Sequence, residues 1–281
     1  MFHLVLRPIR PLRSLLALMA ALAAGLLPMP SLALVMAVNE GVTYRVTSDE
    51  IRARYAGIAA DVSRILGAPV TVEPVSHYPT LRQGLQNKAY DIALVHPAHH
   101  SIRAIKASGY QLLAVAKGFE NYRASFLVTA DSTLKSVAEL KGLRLGAPDE
   151  DSITAWMVRA TLRDAIGDPE AVKVTYTRYQ DAVPFFLENK LTHAGATASG
   201  AVVKDWTTKG GKVIAQSKPV PIKHLIAGPG ITAEQSAALR KYFVELDSTD
   251  DGRRKLEPSK LKGFMPYDQG QMLELGRWLG L

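Results

Sequence analysis

The chain has 281 residues, a formal net charge of +8 and no cysteine. The absence of cysteine excludes thiol catalysis, cysteine-ligated metal and membrane anchoring through an acylated cysteine. Aromatic residues make up 7 % of the chain, and its charges are mixed, with no long basic run. The composition therefore indicates no nucleic-acid partner.

The N-terminus has the layout of a secretory signal peptide. Three arginines and no acidic residue precede an apolar run, and small residues follow that run. We predict a signal peptide over residues 1–37, cut after Ala37, with a cut after Ala33 as the alternative. The apolar run is short for a membrane-spanning helix, which needs about 20 residues, so an uncleaved anchor is the less favoured interpretation. Cleavage after Ala37 would remove these three arginines and lower the net charge from +8 to +5.

Short β-rich runs then alternate with helical patterns, and this alternation predicts doubly wound α/β architecture with parallel strands. Ser136 and Glu139 predict a capping box at one of the helices. The predicted strands are 42–48, 70–75, 91–96, 111–118, 124–130, 143–148, 172–178, 212–217 and 224–230; the predicted helices are 50–66, 78–87, 136–142, 152–166, 181–189, 232–246 and 268–279.

The segment 91–95 reads Asp-Ile-Ala-Leu-Val and is apolar almost throughout, as expected of a strand buried on both faces. Ligands of open α/β sheets bind beyond the carboxyl ends of the strands. His96 directly follows this strand, so we expect it to lie at the edge where a ligand binds.

Five segments, taken in order, carry a family resemblance. They are ILGAPVTVEPVSHYPTLRQGLQNKAYDIAL (65–94), NYRASFLV (121–128), STLKSVAELKGLRLGAPDEDSITAW (132–156), YQDAVPFFLENK (179–190) and QSKPVPIKHLIA (216–227). This ordered set resembles the phosphate/phosphonate-type periplasmic solute-binding proteins of ABC transporters. It covers nearly the whole mature chain, whereas each segment alone is a weak signal.

The resemblance implies two α/β lobes, joined by a hinge of two crossovers, with the ligand cleft between them. Lobe 1 is expected to comprise 38–122 plus 221–281, and lobe 2 to comprise 123–220. Hinge closure around a ligand is a known kind of conformational change. The resemblance also implies a periplasmic monomer that carries a small anionic ligand to an ABC permease at the inner membrane.

The resemblance places the centre of the site at Ser152-Ile153-Thr154, where the family has hydroxyl residues at the start of a helix. Backbone N–H groups and the helix dipole favour a phosphoryl group at such a position. An ordinary helix N-cap is the alternative for Ser152. The family also implies phenols in the cleft, which here are Tyr78 and Tyr122.

Other positions depart from the family. Gln180 stands where a histidine is common and keeps a donor without the charge. Gly200 and Lys223 stand where relatives that bind an aminoalkylphosphonate have acidic residues. Because a neutral gap and a cation cannot pair with an ammonium group, we expect aminoethylphosphonate not to be the ligand. The acidic residues 149–151 precede the site and would repel an anion unless they point to solvent.

The histidines suggest a metal site only weakly. His99 and His100 are neighbours at a helix start and diverge by about 100°, so both cannot face one ion. His193 stands where the family commonly has an aspartate. We expect His96 to be a donor that lines the cleft and tunes affinity near pH 6.5, and one or both of His99 and His100 to be surface caps.

We therefore expect a binding protein and not an enzyme. The chain lacks a G-x-S-x-G elbow, a P-loop and a supported carboxylate pair, so no catalytic residue, metal ligand or cofactor is assigned. Two alternatives stay open: a periplasmic receptor that reports its ligand to a membrane sensor kinase, and a periplasmic metal-binding protein on the same scaffold.

Overall fold

The computed structural model describes residue 1 and residues 33–41 and 46–281. Most of the predicted signal peptide (2–32) and part of the predicted strand 42–48 (42–45) lie outside the described residues. The described helices are α1 (Ser48–Leu66), α2 (Tyr78–Gln86), α3 (Ala98–Ser108), α4 (Ile153–Ile166), α5 (Val183–Glu188), α6 (Gly200–Thr208), α7 (Ala233–Glu245), α8 (Asp250–Leu256) and α9 (Gln269–Leu279).

Eleven strands form two sheets in the described part of the chain. The strands are β1 (Leu34–Val38), β2 (Val70–Pro74), β3 (Ile92–Val95), β4 (Gln111–Ala116), β5 (Ser125–Val128), β6 (Arg144–Pro148), β7 (Lys173–Thr177), β8 (Ala194–Thr197), β9 (Lys212–Gln216), β10 (His224–Ala227) and β11 (Phe264–Met265). The six-stranded sheet has the order β11-β4-β10-β3-β1-β2, and the five-stranded sheet has the order β7-β6-β8-β5-β9.

The α/β class is confirmed, but both sheets are mixed where the strand-helix alternation predicted parallel pairing. β1 pairs in parallel with β2 and β3, and β6 pairs in parallel with β7 and β8. In contrast, β10 is antiparallel to β3 and β4, and β5 is antiparallel to β8 and β9. The chain passes from one sheet to the other immediately before β5 and again immediately before β10. Neither strand is therefore reached through a helical crossover within its own sheet, which parallel pairing of consecutive strands requires.

Two chain segments, 117–124 and 217–223, connect the two sheets. They run side by side, because Tyr122 and Val220 form an isolated antiparallel bridge. The N–H of Val220 donates to the carbonyl of Tyr122 over 2.9 Å, and the N–H of Ile222 donates to the carbonyl of Phe119 over 3.1 Å. The division into lobe 1 (38–122 plus 221–281) and lobe 2 (123–220), with a hinge at these segments, stays a prediction.

β3 shows how the hydrophobic pattern determines its place in the fold. All four of its side chains are buried, with Ile92 and Leu94 in the cluster on one face and Ala93 and Val95 in the cluster on the other. A strand that is covered on both faces needs an uninterrupted apolar run. The prediction for segment 91–95 is therefore confirmed.

Two of the predicted helices are shorter and tighter than expected. Val137–Leu140 forms a single 3₁₀ turn, and the Ser136 side chain donates to the Glu139 carboxylate over 3.0 Å but caps no backbone N–H. The predicted capping box is therefore wrong, because four residues are too few to build the α-helical turn that a box closes. The predicted helix 181–189 starts with a 3₁₀ turn and becomes α-helical at Val183.

β1 bears on the predicted cleavage site. Met36, Ala37 and Val38 are 1 %, 0 % and 0 % exposed, and β1 lies between β2 and β3 inside the six-stranded sheet. A cut after Ala37 would remove four of the five residues of this strand, whereas a cut after Ala33 would leave it whole. On this ground we expect the cut after Ala33, the alternative site, and the signal peptide itself stays a prediction.

Candidate functional site

Ser152 and Thr154 lie at the start of α4, directly beyond the carboxyl end of β6. Ser152 is the N-cap residue, and its hydroxyl accepts from the N–H of Ala155 over 3.1 Å. Ile153 and Thr154 are the first two helical residues, 4 % and 0 % exposed. Ser152 therefore does perform the ordinary capping role, while Thr154 points into the protein and has other partners.

Thr154, Gln180 and Tyr122 form one hydrogen-bonded cluster. Nε2 of Gln180 donates to Oγ1 of Thr154 over 2.7 Å and to the hydroxyl of Tyr122 over 3.0 Å. Oε1 of Gln180 accepts from the Thr197 hydroxyl and from the Ala198 N–H, both over 2.8 Å. Thr197 thus orients the amide so that its NH₂ group faces the two hydroxyls. Because Gln180 donates to Thr154, the Thr154 proton is left to donate either to the Tyr122 hydroxyl, 3.4 Å away, or to a bound oxyanion.

His96 and Lys223 lie together on the six-stranded sheet. Nδ1 of His96 donates to the carbonyl of Ile222 over 3.1 Å, and the Lys223 ammonium lies 4.2 Å from the centroid of the Phe119 ring. Burial, and then the Lys223 charge, lower the pKa of His96 to about 4. The expectation that His96 changes its charge near pH 6.5 is therefore wrong, because the ring is desolvated beside a cation.

Gly41 provides room for the His96 ring. It has a φ of +104°, and a Cβ atom built on it would lie 2.8 Å from Cδ2 of His96. Only glycine avoids both the backbone strain and this close contact.

His99 and His100 are 1 % and 2 % exposed, so the expectation of surface caps is wrong for both. The first turn of α3 is covered by α2 and α4 and does not face solvent. The His99 and His100 rings lie 4.0 Å apart, Tyr78 lies 5.1 Å from His100, and Trp156 lies 6.1 Å from His99, all between ring centroids. The expectation that the two histidines cannot face the same group is therefore wrong, because their rings turn toward each other. Burial and neighbouring cations lower the pKa of His99 to about 2 and that of His100 to about 3.

The other polar residues considered in the sequence lie at the surface. His193 is exposed, and its Nδ1 accepts from the N–H of Arg144 over 3.2 Å. The acidic residues 149–151 are exposed as well, so they are solvated and do not crowd the start of α4. Within the described ranges, no group of three or more histidine or acidic side chains is arranged to hold a metal ion.

Near the connecting segments, a surface cavity of about 490 Å³ lies beside Tyr122. Its lining includes Arg123, Gly200, Lys204 and Gln216. Gly200 is exposed at the start of α6 and contributes no side chain. Because Gly200 has no side chain, this position supplies no carboxylate to the cavity.

The structure thus divides the predicted site residues into two groups. Tyr122, Thr154 and Gln180 are hydrogen-bonded to one another, and Ser152 and Ile153 adjoin them on α4. His96, Lys223 and Tyr78 belong to the elements of the six-stranded sheet. Sequence reasoning missed Trp156 and Thr197, although Trp156 stands four residues after Ser152 and therefore on the same face of α4.

The fold has two mixed β-sheets with helices packed on them, and two adjacent chain segments connect the sheets. Polar side chains lie close to these segments. This is the architecture of a ligand-binding protein of the periplasmic type. The sequence matches the family described as "ABC transporter, phosphonate, periplasmic substrate-binding protein" over residues 41–272. The chain belongs to this family, whose members are substrate-binding components of transporters and not enzymes. No curated protein matches the chain.

Solved structures share the fold at low sequence identity. XAC2383 from Xanthomonas citri bound to ATP has a TM-score of 0.66 at 16 % identity, covering 88 % of this chain and 97 % of that one. PhnD1 from Prochlorococcus marinus with methylphosphonate has a TM-score of 0.59 at 16 % identity, covering 87 % and 96 %. A binding protein component of an ABC phosphonate transporter from Pseudomonas aeruginosa has a TM-score of 0.56 at 19 % identity, covering 88 % and 85 %.

Family membership also indicates a periplasmic location. Among the residues that the structure describes, no helix combines the length and the apolar character needed to cross a bilayer.

Proposed function

We propose that the chain captures a small oxyanion, of the phosphonate, phosphite or phosphate type, and delivers it to an ABC permease. The observation that carries this proposal is the cluster of Thr154, Gln180 and Tyr122 at the start of α4. There, a hydroxyl proton and the positive end of the helix dipole act on the same small volume. Relatives of the same fold include one solved with methylphosphonate.

The proposed ligand has no ammonium group. Lys223 is 9 % exposed, and burial lowers its pKa while Glu40 opposes that shift. Both Glu40 oxygens are already engaged, since Oε1 accepts from Tyr55 over 2.9 Å and Oε2 accepts from Arg54 over 2.8 Å. Because like charges repel, the Lys223 ammonium disfavours a second ammonium group beside it, which supports an anionic ligand without an amine.

We expect phosphonate-type oxyanions to stabilise the protein against heat. A ligand at 100 times its dissociation constant adds about 2.7 kcal/mol, which raises the Tm by roughly 5–11 °C for a chain of this size, at about 2–4 °C per kcal/mol. A thermal-shift series of methylphosphonate, phosphite, phosphate, sulfate and aminoethylphosphonate measures this. Stabilisation by aminoethylphosphonate alone would contradict the proposal.

The double variant Ser152→Ala/Thr154→Ala is expected to lose this stabilisation by methylphosphonate. It removes both hydroxyls at the start of α4, and loss of the Ser152 cap also costs about 1 kcal/mol of stability. Isothermal titration calorimetry on the folded variant separates the two effects. Thr161→Ala is the matched control, because the Thr161 hydroxyl donates to the Met157 carbonyl on the same helix. Equal affinities for the two variants would place the oxyanion elsewhere.

A further inference from the structure

Buried polar atoms without a partner gather at one place in the described part of the chain. Of seven such side-chain atoms, four belong to His99, His100 and Trp156: Nδ1 of His99, both ring nitrogens of His100, and Nε1 of Trp156. Native proteins leave few buried polar groups unpaired, since each costs about 1–3 kcal/mol. Four in one cluster indicate a site whose hydrogen bonds are completed by a bound molecule.

The three side chains come from both halves of the fold. His99 and His100 occupy the first turn of α3, beside the six-stranded sheet, while Trp156 lies on α4, beside the five-stranded sheet. The His99 ring lies 6.1 Å from the Trp156 ring, and the His100 ring lies 5.1 Å from that of Tyr78. A molecule bound here would therefore contact helices that belong to the two different sheets.

The charges around this cluster are predominantly positive. Arg103 and Arg159 lie 4.9 Å and 4.5 Å from the Trp156 ring centroid. Arg82 and Arg103 act electrostatically on both histidines. Asp151, an exposed acidic residue, acts electrostatically on Arg103.

These features select an anion over a metal ion. Trp156 Nε1 can only donate a hydrogen bond, and a neutral imidazole offers one N–H. Two imidazoles among arginines provide no third ligand for a metal, whereas N–H groups beside guanidinium groups suit a carboxylate or phosphoryl oxygen.

We propose that His99, His100 and Trp156 form a second anion subsite, which takes an additional carboxylate or phosphoryl group of the captured ligand. This inference rests on the proposed function, in which the first oxyanion binds at Ser152 and Thr154. Trp156 stands four residues after Ser152, about one helical turn or 5.4 Å along α4. The ligand class is therefore a small phosphonate with a second anionic group a few bonds away.

Calorimetry at pH 7.5 with two probes tests this subsite. Phosphonoacetate carries two anionic groups and methylphosphonate carries one. The wild-type protein is expected to bind phosphonoacetate at least ten-fold more tightly, as hydrogen bonds to charged groups imply. His99→Phe/His100→Phe keeps two rings but removes their N–H groups, and it is expected to abolish this ten-fold preference while methylphosphonate affinity changes less than about three-fold.

Two further variants keep the test interpretable. Trp156→Phe removes the indole N–H alone and is expected to reduce phosphonoacetate affinity several-fold without unfolding the protein. His193→Gln alters an exposed histidine of the five-stranded sheet and is expected to change neither affinity.

Three results would overturn the inference. Equal wild-type affinities for the two probes would remove the subsite and leave the proposed function standing. If the wild-type protein binds Zn(II), and His99→Phe/His100→Phe loses Zn(II) binding but keeps phosphonoacetate binding, the two histidines form a metal site and not an anion subsite. Binding of neither probe would overturn the inference, and it would refute the proposed function as well if phosphite and phosphate also fail to bind.

Discussion

A chain that begins at Leu34 is expected to fold, and a chain that begins at Val38 is expected not to fold. The shorter chain lacks residues 34–37, which are four of the five residues of β1. This strand pairs in parallel with β2 from Leu34 to Val38 and with β3 from Met36 to Val38. Its removal opens the interior of the six-stranded sheet.

The expected loss exceeds the stability of an ordinary domain. Without β1, the facing backbone groups of β2 and β3 lose their partners, and each buried unpaired group is costly. Removal of the buried Met36 side chain alone costs about 2–5 kcal/mol, against a total stability of about 5–15 kcal/mol. Asp91 also loses the Val35 N–H, which its carboxylate accepts over 2.8 Å.

Circular dichroism and urea unfolding of the two purified truncated chains measure this effect. Mass spectrometry of the exported protein then determines the natural N-terminus, which is expected to be Leu34. Cooperative unfolding of the chain that begins at Val38, or a mature N-terminus at Val38, would show that β1 is dispensable. A chain that begins at Ala33 serves as the control, because it leaves β1 intact.

Acidification from pH 7.5 to pH 5.5 is expected to destabilise the protein by up to roughly 5 kcal/mol. Four buried histidines have a pKa below the value of about 6.5 that the unfolded chain shows. Burial is the main cause in each case, and the values are about 4, 2, 3 and 4 for His96, His99, His100 and His224.

The sign follows from proton counting. Below pH 6.5 the unfolded chain binds protons at these histidines, while the folded protein does not until the pH nears the lowered values. Stability is therefore complete above pH 6.5 and falls by up to about 1.4 kcal/mol per pH unit per histidine below it. Carboxylates titrate mostly below pH 5, so the chosen window isolates the histidines.

Urea unfolding of His99→Phe/His100→Phe at both pH values tests this explanation. The variant removes two of the four histidines, so its loss between pH 7.5 and 5.5 is expected to be about half that of the wild type. His193→Gln, which changes an exposed side chain, is expected to keep the full wild-type loss. A wild-type stability that does not change over this window would show that the histidines are protonated in the fold.

Local pattern predicted the elements that depend on neighbouring residues. The apolar run before His96 predicted the strand that the structure shows as β3, and Ser152 predicted the start of α4. Pattern failed where length or long-range pairing decides the outcome. The Ser136 segment has the signature of a capped helix but is only one 3₁₀ turn. The small apolar residues 34–37 suit both the end of a signal peptide and a buried strand, so local pattern does not distinguish these two roles.

The sequence by itself determined the α/β class, the family resemblance and the hydroxyl residues at the start of α4. These depend on the order of short segments and on contacts within one helical turn. Only the tertiary structure decided that Gln180 joins Tyr122 and Thr154, and that His99 and His100 are buried against Trp156. The physical reason is that residues 26 to 58 positions apart come together through sheet order and helix packing, which a local pattern does not encode.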